Sequence, residues 1–179
     1  MKYVALLRGI NVGGKNMIPM VKLKESLEAD GIINVRTYIQ SGNILFESDE
    51  RSTSKLATWF EKHILDVYGH TVPTLVISKT TFKEMMNNLP GGWGDNVERR
   101  YNTFFLLAPL TAKQAVEVIG PLKTDIESLV STDIAILHLV EIASIGRSST
   151  GRLFGTPAYK MMTVRNWNTT KKLLELLEG

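Results

Sequence analysis

The chain lacks several residue types and patterns that would point directly to a function. Its 179 residues include no cysteine and only three histidines. Disulfide bonds, a cysteine nucleophile and cysteine-ligated zinc or iron–sulfur sites are therefore excluded. The acidic residues and histidines also lack the spacing of a metal site or of paired catalytic carboxylates. We predict no metal site. Catalytic residues and cofactors cannot be named from the sequence, which leaves enzymatic activity an open question.

Long apolar runs are absent as well. No segment approaches the ~20 consecutive apolar residues of a membrane-spanning helix. Only Val4-Ala5-Leu6-Leu7 precedes Arg8, and this run is too short for the apolar region of a signal peptide. We therefore expect a cytoplasmic protein with no membrane partner.

Neither sign of charge is in strong excess. The 21 lysines and arginines and 18 acidic residues give a net charge of +3. This mild excess permits a phosphate-bearing partner, but nucleic-acid-binding proteins usually concentrate far more lysine and arginine on one face. With 44% hydrophobic and 22% charged residues, the composition is that of a globular protein. The length allows one domain or two small subdomains with their own cores.

The first half of the chain predicts the β-α-β-β-α-β order of a ferredoxin-like unit. Helical spacing of apolar residues marks two segments, and strand-forming residues mark four. The Ser41-Gly42 pair predicts a two-residue hairpin turn between the second and third strands. The predicted elements are a strand at Lys2–Leu7, a helix at 19–31, strands at 35–40 and 44–46, a helix at 52–68 and a strand at Thr74–Ser78.

The second half predicts similar elements in the order β-α-β-β-α, without an obvious last strand. A capping box at Thr111-Ala112-Lys113-Gln114 opens its first helix. Between the halves, a short helix at 81–89 is followed by a glycine-rich break at 90–95. The predicted elements are strands at 103–107, 129–131 and 134–142 and helices at 111–120 and 163–177.

These patterns predict an α/β (α+β) fold of two tandem ferredoxin-like subdomains with mainly antiparallel sheets. The second subdomain is predicted to be incomplete and to end in the C-terminal helix. We expect residues 1–80 to form the first subdomain, 81–100 the helix and Gly-rich linker, and 101–179 the second subdomain.

The most informative segment is residues 6–16, LLRGINVGGKN, in which a strand runs into a glycine-rich loop. Gly13 and Gly14 allow successive backbone N–H groups to turn toward one point. Arg8 and Lys15 add positive charge. This combination predicts a loop that binds an anion.

The predicted topology places a second polar segment beside this loop. Strands one and three are neighbours in a β-α-β-β-α-β sheet, so the turn before strand three lies next to the end of strand one. We predict a single pocket for a small anionic ligand. Its predicted ligand-binding residues are Arg8, Asn11, Gly13, Gly14, Lys15, Gln40, Ser41 and Asn43, together with Arg165 and Asn166 from the last helix. The alternative is that Gln40 and Asn43 only satisfy backbone groups of the hairpin and that the glycines only form a tight turn.

The loop also resembles a Walker A motif, because Gly9 is followed by four residues and then Gly14-Lys15. Asn16 stands where that motif requires a serine or threonine hydroxyl for magnesium. A P-loop enzyme needs a parallel sheet, whereas the predicted hairpin requires antiparallel strands. The sequence therefore disfavours nucleotide hydrolysis of this type.

A second polar cluster lies near the C-terminus. Thr163 fits the N-cap of the last helix, which would put Arg165 and Asn166 beside the positive end of the helix dipole. This arrangement predicts another anion-facing helix start. The alternative is a capped surface helix anchored by Trp167.

Of the histidines, His138 shares a predicted strand face with Ile134, Ile136 and Val140. This alternation favours a buried histidine of the core over a catalytic one.

Three segments together resemble the bacterial domain of unknown function 1697 family. They are residues 8–16 (RGINVGGKN), residues 36–43 (RTYIQSGN) and residues 163–169 (TVRNWNT). The resemblance extends from one end of the chain to the other. It implies a cytoplasmic α/β protein of two ferredoxin-like halves, and it brings no established activity, cofactor or catalytic residue.

We therefore predict that the protein binds a small anionic ligand, a phosphate or a carboxylate, at the glycine-rich loop. One alternative is binding of RNA or single-stranded nucleic acid, for which Tyr38 and Phe46 are the aromatic candidates on the strands. Another is a protein-interaction module without catalysis, with hydrophobic surface at 90–93. The sequence does not predict the oligomeric state.

Overall fold

Two four-stranded antiparallel sheets form the framework of the protein. The computed structural model describes residues 1–14 and 16–179. It divides into two compact units, the first made of residues 1–83 and 172–179 and the second of residues 84–171. The predicted α+β class with tandem ferredoxin-like halves is confirmed. None of the helices formed by the described residues combines the length and apolarity needed to span a bilayer.

The first sheet has the strand order β2-β3-β1-β4, in which the first and third strands are neighbours, as predicted. Helix α2 begins after its N-cap Ser52, whose hydroxyl accepts from Lys55 N, and ends at Gly69 in the left-handed conformation. The elements are β1 (Lys2–Leu7), α1 (Met20–Ala29), β2 (Ile33–Tyr38), β3 (Asn43–Glu47), α2 (Thr53–Tyr68), β4 (Thr74–Ser78) and α3 (Lys79–Asn87).

The core of the first unit lies between the sheet and the apolar stripes of α1 and α2. Phe46 of β3 connects the layers, because its ring centroid lies 5.5 Å from that of Tyr3 and 4.9 Å from that of Phe60. Both distances are typical of favourable aromatic pairs. This packing fixes the position of β1, and therefore of the loop that follows it.

The second sheet has the equivalent order β6-β7-β5-β8. The predicted capping box at the start of α4 is present, with Thr111 and Gln114 each bonded to the other's backbone. The elements are β5 (Arg99–Leu106), α4 (Ala112–Ile119), β6 (Glu127–Ser131), β7 (Ala135–Glu141), 3₁₀ turns at Ile142–Arg147 and Ser149–Leu153, α5 (Pro157–Lys160), β8 (Met162–Asn166) and α6 (Trp167–Glu178).

The prediction that the second half lacks its last strand is wrong. Residues Met162–Asn166 form β8, which pairs with β5 from Leu106↔Met162 to Asn102↔Asn166. The helix predicted at 163–177 begins only at Trp167. Thr163 and Val164 are β-branched residues that favour a strand, but the polar Arg165 and Asn166 gave the segment the composition of a capped helix start. The second unit differs from the ferredoxin-like order in a different place. Between β7 and β8, where that order has its second helix, the chain forms two 3₁₀ turns and the single turn of α5.

Gly94 allows a close approach to Trp167 within the second unit. Its φ is +94°, and a Cβ placed on it would overlap the indole nitrogen of Trp167. We expect Gly94→Ala to lower the free energy of unfolding by about 2–4 kcal/mol, because it combines overpacking with left-handed strain. Urea denaturation measures this change. The control is Gly91→Ala, where a Cβ meets no atom within 4 Å; equal losses in the two variants would contradict the assignment.

Candidate functional site

The glycine loop (residues 8–18) and the β2–β3 connection (residues 39–42) lie together in the first unit. The backbone N–H of Leu7 donates to the carbonyl of Gly42 over 2.8 Å. The side-chain amide of Asn11 donates to the carbonyl of Gln40 over 2.9 Å. The two polar segments are therefore neighbours, as expected from the pairing of β1 with β3. Lys15 lies outside the described residues.

Asn11 holds the glycine loop to its surroundings. Its Nδ2 also donates to the carbonyl of Ile18 over 2.9 Å, and its Oδ1 accepts from the backbone N–H of Ile18 over 2.8 Å. Its own N–H donates to the carbonyl of Asn16 over 3.2 Å. With φ at +53°, Asn11 adopts a left-handed conformation that asparagine tolerates better than most residues. The Asn11 side chain thus ties together the loop, the chain leading into α1 and the β2–β3 connection.

Asn43 has a similar role in the β2–β3 connection. It is completely buried, and its Nδ2 donates to the carbonyl of Tyr38 and to the hydroxyl of Ser41, both over 3.0 Å. These bonds close the four residues that join β2 to β3, which is two residues more than the predicted hairpin turn. Gln40 is exposed and Ser41 half-buried at the surface of the connection. The Asn11 and Asn43 amides therefore hold the loop and the connection in place, and Gln40 is the more exposed of the two surface residues.

The backbone of the glycine loop is left-handed at an unusual number of positions. Gly13 and Gly14 follow one another with φ values of +58° and +73°, and both are exposed. Successive backbone N–H groups in a turn can form a concave site for an anion. Among the described residues of this loop, Gly9, Asn11 and Asn16 also have positive φ values.

Ile39, in the neighbouring connection, is also held in the left-handed region, with φ at +51°. This conformation is strained for a β-branched residue. The side chain is 48% exposed, so burial of its apolar surface does not explain the strain. The bonds from Asn43 to Tyr38 and from Asn11 to Gln40 hold the backbone on either side. Such strained residues cluster at ligand clamps and other functional sites.

Arg8 is the predicted cation of the glycine loop that lies within the described residues. It is half-buried at the start of the glycine loop, and its backbone N–H donates to the carbonyl of Pro73 over 3.0 Å. This bond fixes the backbone at the point where β1 ends. The Arg8 side chain therefore extends from a fixed point of the backbone at the start of the loop.

Arg165 and Asn166 belong to the second unit, whereas the glycine loop belongs to the first. The prediction that Thr163 caps the last helix is wrong, because Thr163 lies on β8 and Asn166 Oδ1 accepts from Thr169 N over 2.8 Å. Arg165 is only 7% exposed, and its Nη1 donates to Thr163 Oγ1 and the Val164 carbonyl over 2.8 and 2.9 Å. Burial lowers the pKa of Arg165 to about 10.

A buried carboxylate that sequence analysis missed lies in the second unit. Glu127, at the start of β6, is 3% exposed and accepts from Ser148 Oγ over 2.7 Å and from His138 Nε2 over 3.0 Å. The backbone N–H groups of Ser149 and Lys123 also donate to it, each over 3.0 Å. Glu127 was overlooked because it precedes the run of apolar residues that marked the strand. The predicted burial of His138 is confirmed.

Opposing effects set the pKa values of this pair. Burial pushes the pKa of Glu127 upward, but the hydrogen bonds from Ser149, Lys123, Ser148 and His138 outweigh it and bring the pKa to about 2. Burial lowers the pKa of His138, against the raising effect of Glu127. At neutral pH an ionised Glu127 therefore lies beside a neutral His138. Among the described residues, no group of three or more histidine and acidic side chains could hold a metal ion.

A family model described as "Protein of unknown function (DUF1697)" matches residues 1–136, which include the glycine loop and the β2–β3 connection. The chain belongs to this family. A similar solved structure is that of the conserved bacterial protein SP0830 from Streptococcus pneumoniae, with a TM-score of 0.87 and 29% sequence identity. The similarity covers 98% of each chain, so both units of this DUF1697 protein belong to the shared fold. A search of curated proteins gives no match.

Gly42 lies at the contact between the glycine loop and the β2–β3 connection, where the packing leaves no room for a Cβ atom. It is left-handed (φ +75°), and a Cβ would lie 2.6 Å from Leu7 Cβ and 2.9 Å from Ile10 Cδ1. We expect Gly42→Ala to destabilise the protein by about 3 kcal/mol in urea denaturation, since it adds a backbone-constrained clash to left-handed strain. Gly31→Ala is the control, with φ at +93° but open space around the Cβ. The Gly31→Ala variant has the left-handed strain without the clash, and we expect it to lower the free energy of unfolding by about 1 kcal/mol. A Gly42 variant no worse than the control would contradict this role.

The Glu127–His138 pair predicts a pH dependence of stability. Because the pKa of folded His138 is below its ordinary value of 6.5, the unfolded chain binds the proton first as the pH falls. We therefore expect the free energy of unfolding of this DUF1697 protein to decrease below pH 6.5, by at most about 1.4 kcal/mol per pH unit from this residue. The lowered pKa of Glu127 adds a further loss below its ordinary value of 4.5. Urea denaturation at pH 8 and pH 5.5 measures the first effect. In the His138→Gln variant, the free energy of unfolding should decrease less between pH 8 and pH 5.5 than in wild type. An equal decrease would contradict the assignment of this effect to His138.

Proposed function

We propose that the first unit of this DUF1697 protein binds a small phosphate or carboxylate anion at the glycine loop. The observation that carries this proposal is the pair of exposed, successive left-handed residues Gly13 and Gly14 in a loop that Asn11 holds in place. Their N–H groups are the donors we assign to the anion. The proposal places this activity in the cytoplasm, as the sequence predicts.

Preorganisation is the main physical support. A flexible loop loses conformational entropy when it closes around a ligand, and this cost reduces affinity. Here the bonds of Asn11 to Ile18 and Gln40 and those of Asn43 to Tyr38 and Ser41 hold the backbone with groups of the protein itself. The strain at Ile39 is consistent with a conformation kept for binding.

Charge provides the second support. Arg8 begins the loop, and the sequence adds Lys15 two residues after Gly13. A hydrogen bond to a charged group contributes about 1.5–3 kcal/mol. In this proposal Arg8 and Lys15 neutralise the anion, Gln40 and Ser41 contact its remaining polar groups, and Asn11 and Asn43 act through the backbone that they hold. Arg165 and Asn166 of the second unit are not needed for it.

The burial of the aromatic side chains disfavours the nucleic-acid alternative. Base stacking needs exposed aromatic residues on the strands. Tyr3 and Phe46 of the first sheet are 1% and 2% exposed, and Tyr101, Phe104 and Phe105 of the second are also buried. Tyr38 is half-buried. None of the aromatic residues on the described strands is exposed enough to form a stacking platform.

The interaction-module alternative is disfavoured as well, because residues 90–93 do not form a large apolar patch. Trp93 is half-buried and packs edge-on against Tyr101, with ring centroids 5.5 Å apart. The neighbouring Val97 is 88% exposed, but a single exposed apolar side chain is common on protein surfaces.

Calorimetric titration with inorganic phosphate, adenosine monophosphate and citrate tests the proposal. We expect at least one of these anions to bind and Lys15→Ala to weaken that binding about 10-fold, as the loss of a charge-assisted contact implies. The matched control is Lys113→Ala, which removes the same charge from an exposed position in the second unit.

Amide NMR spectra during the titration locate the bound anion. The N–H signals of Gly13 and Gly14 should shift most, because those groups are the assigned donors. Absence of any shift at millimolar anion, or equal affinities of the Lys15 and Lys113 variants, would overturn the proposal. Binding of single-stranded RNA in a gel-shift assay at low salt, without a response of the loop, would favour the nucleic-acid alternative instead.

A further inference from the structure

The second unit contains a cavity of about 300 Å³ on one face of its sheet. The cavity lies between β5, β7 and β8 on one side and residues 145–159 on the other. In the first unit the corresponding connection includes the 16-residue helix α2, whereas here it consists of short 3₁₀ turns and α5. Short turns present less continuous side-chain surface than a helix, and this end of the sheet is therefore incompletely filled.

His138 lines this cavity and is 1% exposed. Its Nε2 is bonded to Glu127, but its Nδ1 has no hydrogen-bond partner in the part of the chain that the structure describes. His63 of the first unit, which is also buried, provides a contrast, since its Nδ1 meets Asp30 over 2.8 Å and its Nε2 meets Ser26 over 2.9 Å. A buried polar atom without a partner is costly and is often associated with function.

The bond to Glu127 determines which nitrogen of His138 can accept. An ionised carboxylate only accepts hydrogen bonds, so Nε2 carries the proton and Nδ1 presents a lone pair. Ser148 Oγ is not an activated nucleophile, because the Glu127 carboxylate to which it donates over 2.7 Å has a pKa of about 2 and is too weak a base to take its proton. The group with unused capacity is therefore Nδ1 of His138, which requires a hydrogen-bond donor.

The rest of the cavity has a cation at one end and apolar walls. Asn102 is the cross-strand partner of His138, and Arg100 lies two residues further along β5 on the same face, about 7 Å away along the strand. Arg100 is exposed, so it can meet an anion from solvent. Phe154 and Tyr159 form an aromatic wall, with ring centroids 4.9 Å apart, and Phe154 is 61% exposed although it lines the cavity. An apolar ligand body would cover this exposed aromatic surface.

The buried charge of Glu127 orients such a ligand. A carboxylate behind His138 repels an anion at that end and favours a hydroxyl or ammonium donor there. The guanidinium of Arg100 attracts an anion to the opposite end. From this arrangement we propose that the cavity binds a small organic acid with an apolar body, whose carboxylate meets Arg100 and whose hydroxyl or amino group donates to Nδ1 of His138.

Three probes that share a phenyl body and a carboxylate test the proposal: 3-phenyllactate, phenylalanine and 3-phenylpropionate. The first carries a hydroxyl donor, the second an ammonium donor, and the third neither. We expect 3-phenyllactate or phenylalanine to bind the full-length protein at least about 10-fold more tightly than 3-phenylpropionate, and their comparison distinguishes a hydroxy acid from an amino acid. Long-range ¹H–¹⁵N spectra should show a change at Nδ1 of His138 on binding, with His63 unaffected.

Matched arginine variants test the anionic end. Arg100→Gln should weaken binding of the preferred probe about 10-fold, because it removes a charge-assisted contact at an exposed position that the fold tolerates. The control is Arg99→Gln, which removes the same charge from the neighbouring residue. Because Arg99 points to the opposite face of β5, this variant should change the affinity less than 2-fold. His138→Leu should abolish the preference for a donor. Failure of all three probes to bind, equal affinity with and without a donor, or equal effects of the two arginine variants would overturn the proposal.

Discussion

The hydrogen bonds of Asn11 are the constraint on which the candidate anion site depends. The glycine loop has little regular structure of its own, and several of its residues adopt left-handed conformations that do not propagate. A loop of this kind keeps one shape only when other groups hold it. The Asn11 amide does so by bonding to Ile18, at the end of the loop, and to Gln40, in the β2–β3 connection. The hydrogen bonds of the Asn11 side chain to backbone groups therefore fix the position of the Gly13 and Gly14 amides.

The two units use the same strand order but cover their sheets differently. In the first, α1 and α2 provide continuous apolar stripes, and Phe46 packs against both Tyr3 and Phe60. In the second, short turns follow β7, and the sheet face near His138 is left with a cavity. Polar residues fill the remaining space, as the bonds of Ser148 and Ser149 to Glu127 show. The difference in one connection thus leaves a cavity beside the core of the second unit.

Much of the fold could be predicted, because strand and helix periodicities depend on neighbouring residues. The N-cap Ser52, the final Gly69 and the capping box at Thr111 all occur where local rules place them. The prediction was wrong at β8, because residues Met162–Asn166 become a strand, and Arg165 becomes buried, by pairing with β5, which is distant along the chain. Glu127 was missed for the same reason, since its partners lie up to 22 residues away along the chain.

By itself, the sequence determined the order of elements in the first unit and the meeting of two polar segments at one edge of its sheet, because strand order follows from connection type. Only the tertiary structure decided what each polar side chain does there. Asn11 and Asn43 look like ligand-binding amides in the sequence, yet Asn11 bonds to the backbone of Ile18 and Gln40, and Asn43 bonds to the Tyr38 carbonyl and the Ser41 hydroxyl. His138 looks like a core residue, yet one of its nitrogens has no partner among the described residues. Hydrogen-bond capacity depends on which distant groups come within about 3 Å, and that is a property of the packed chain rather than of its local pattern.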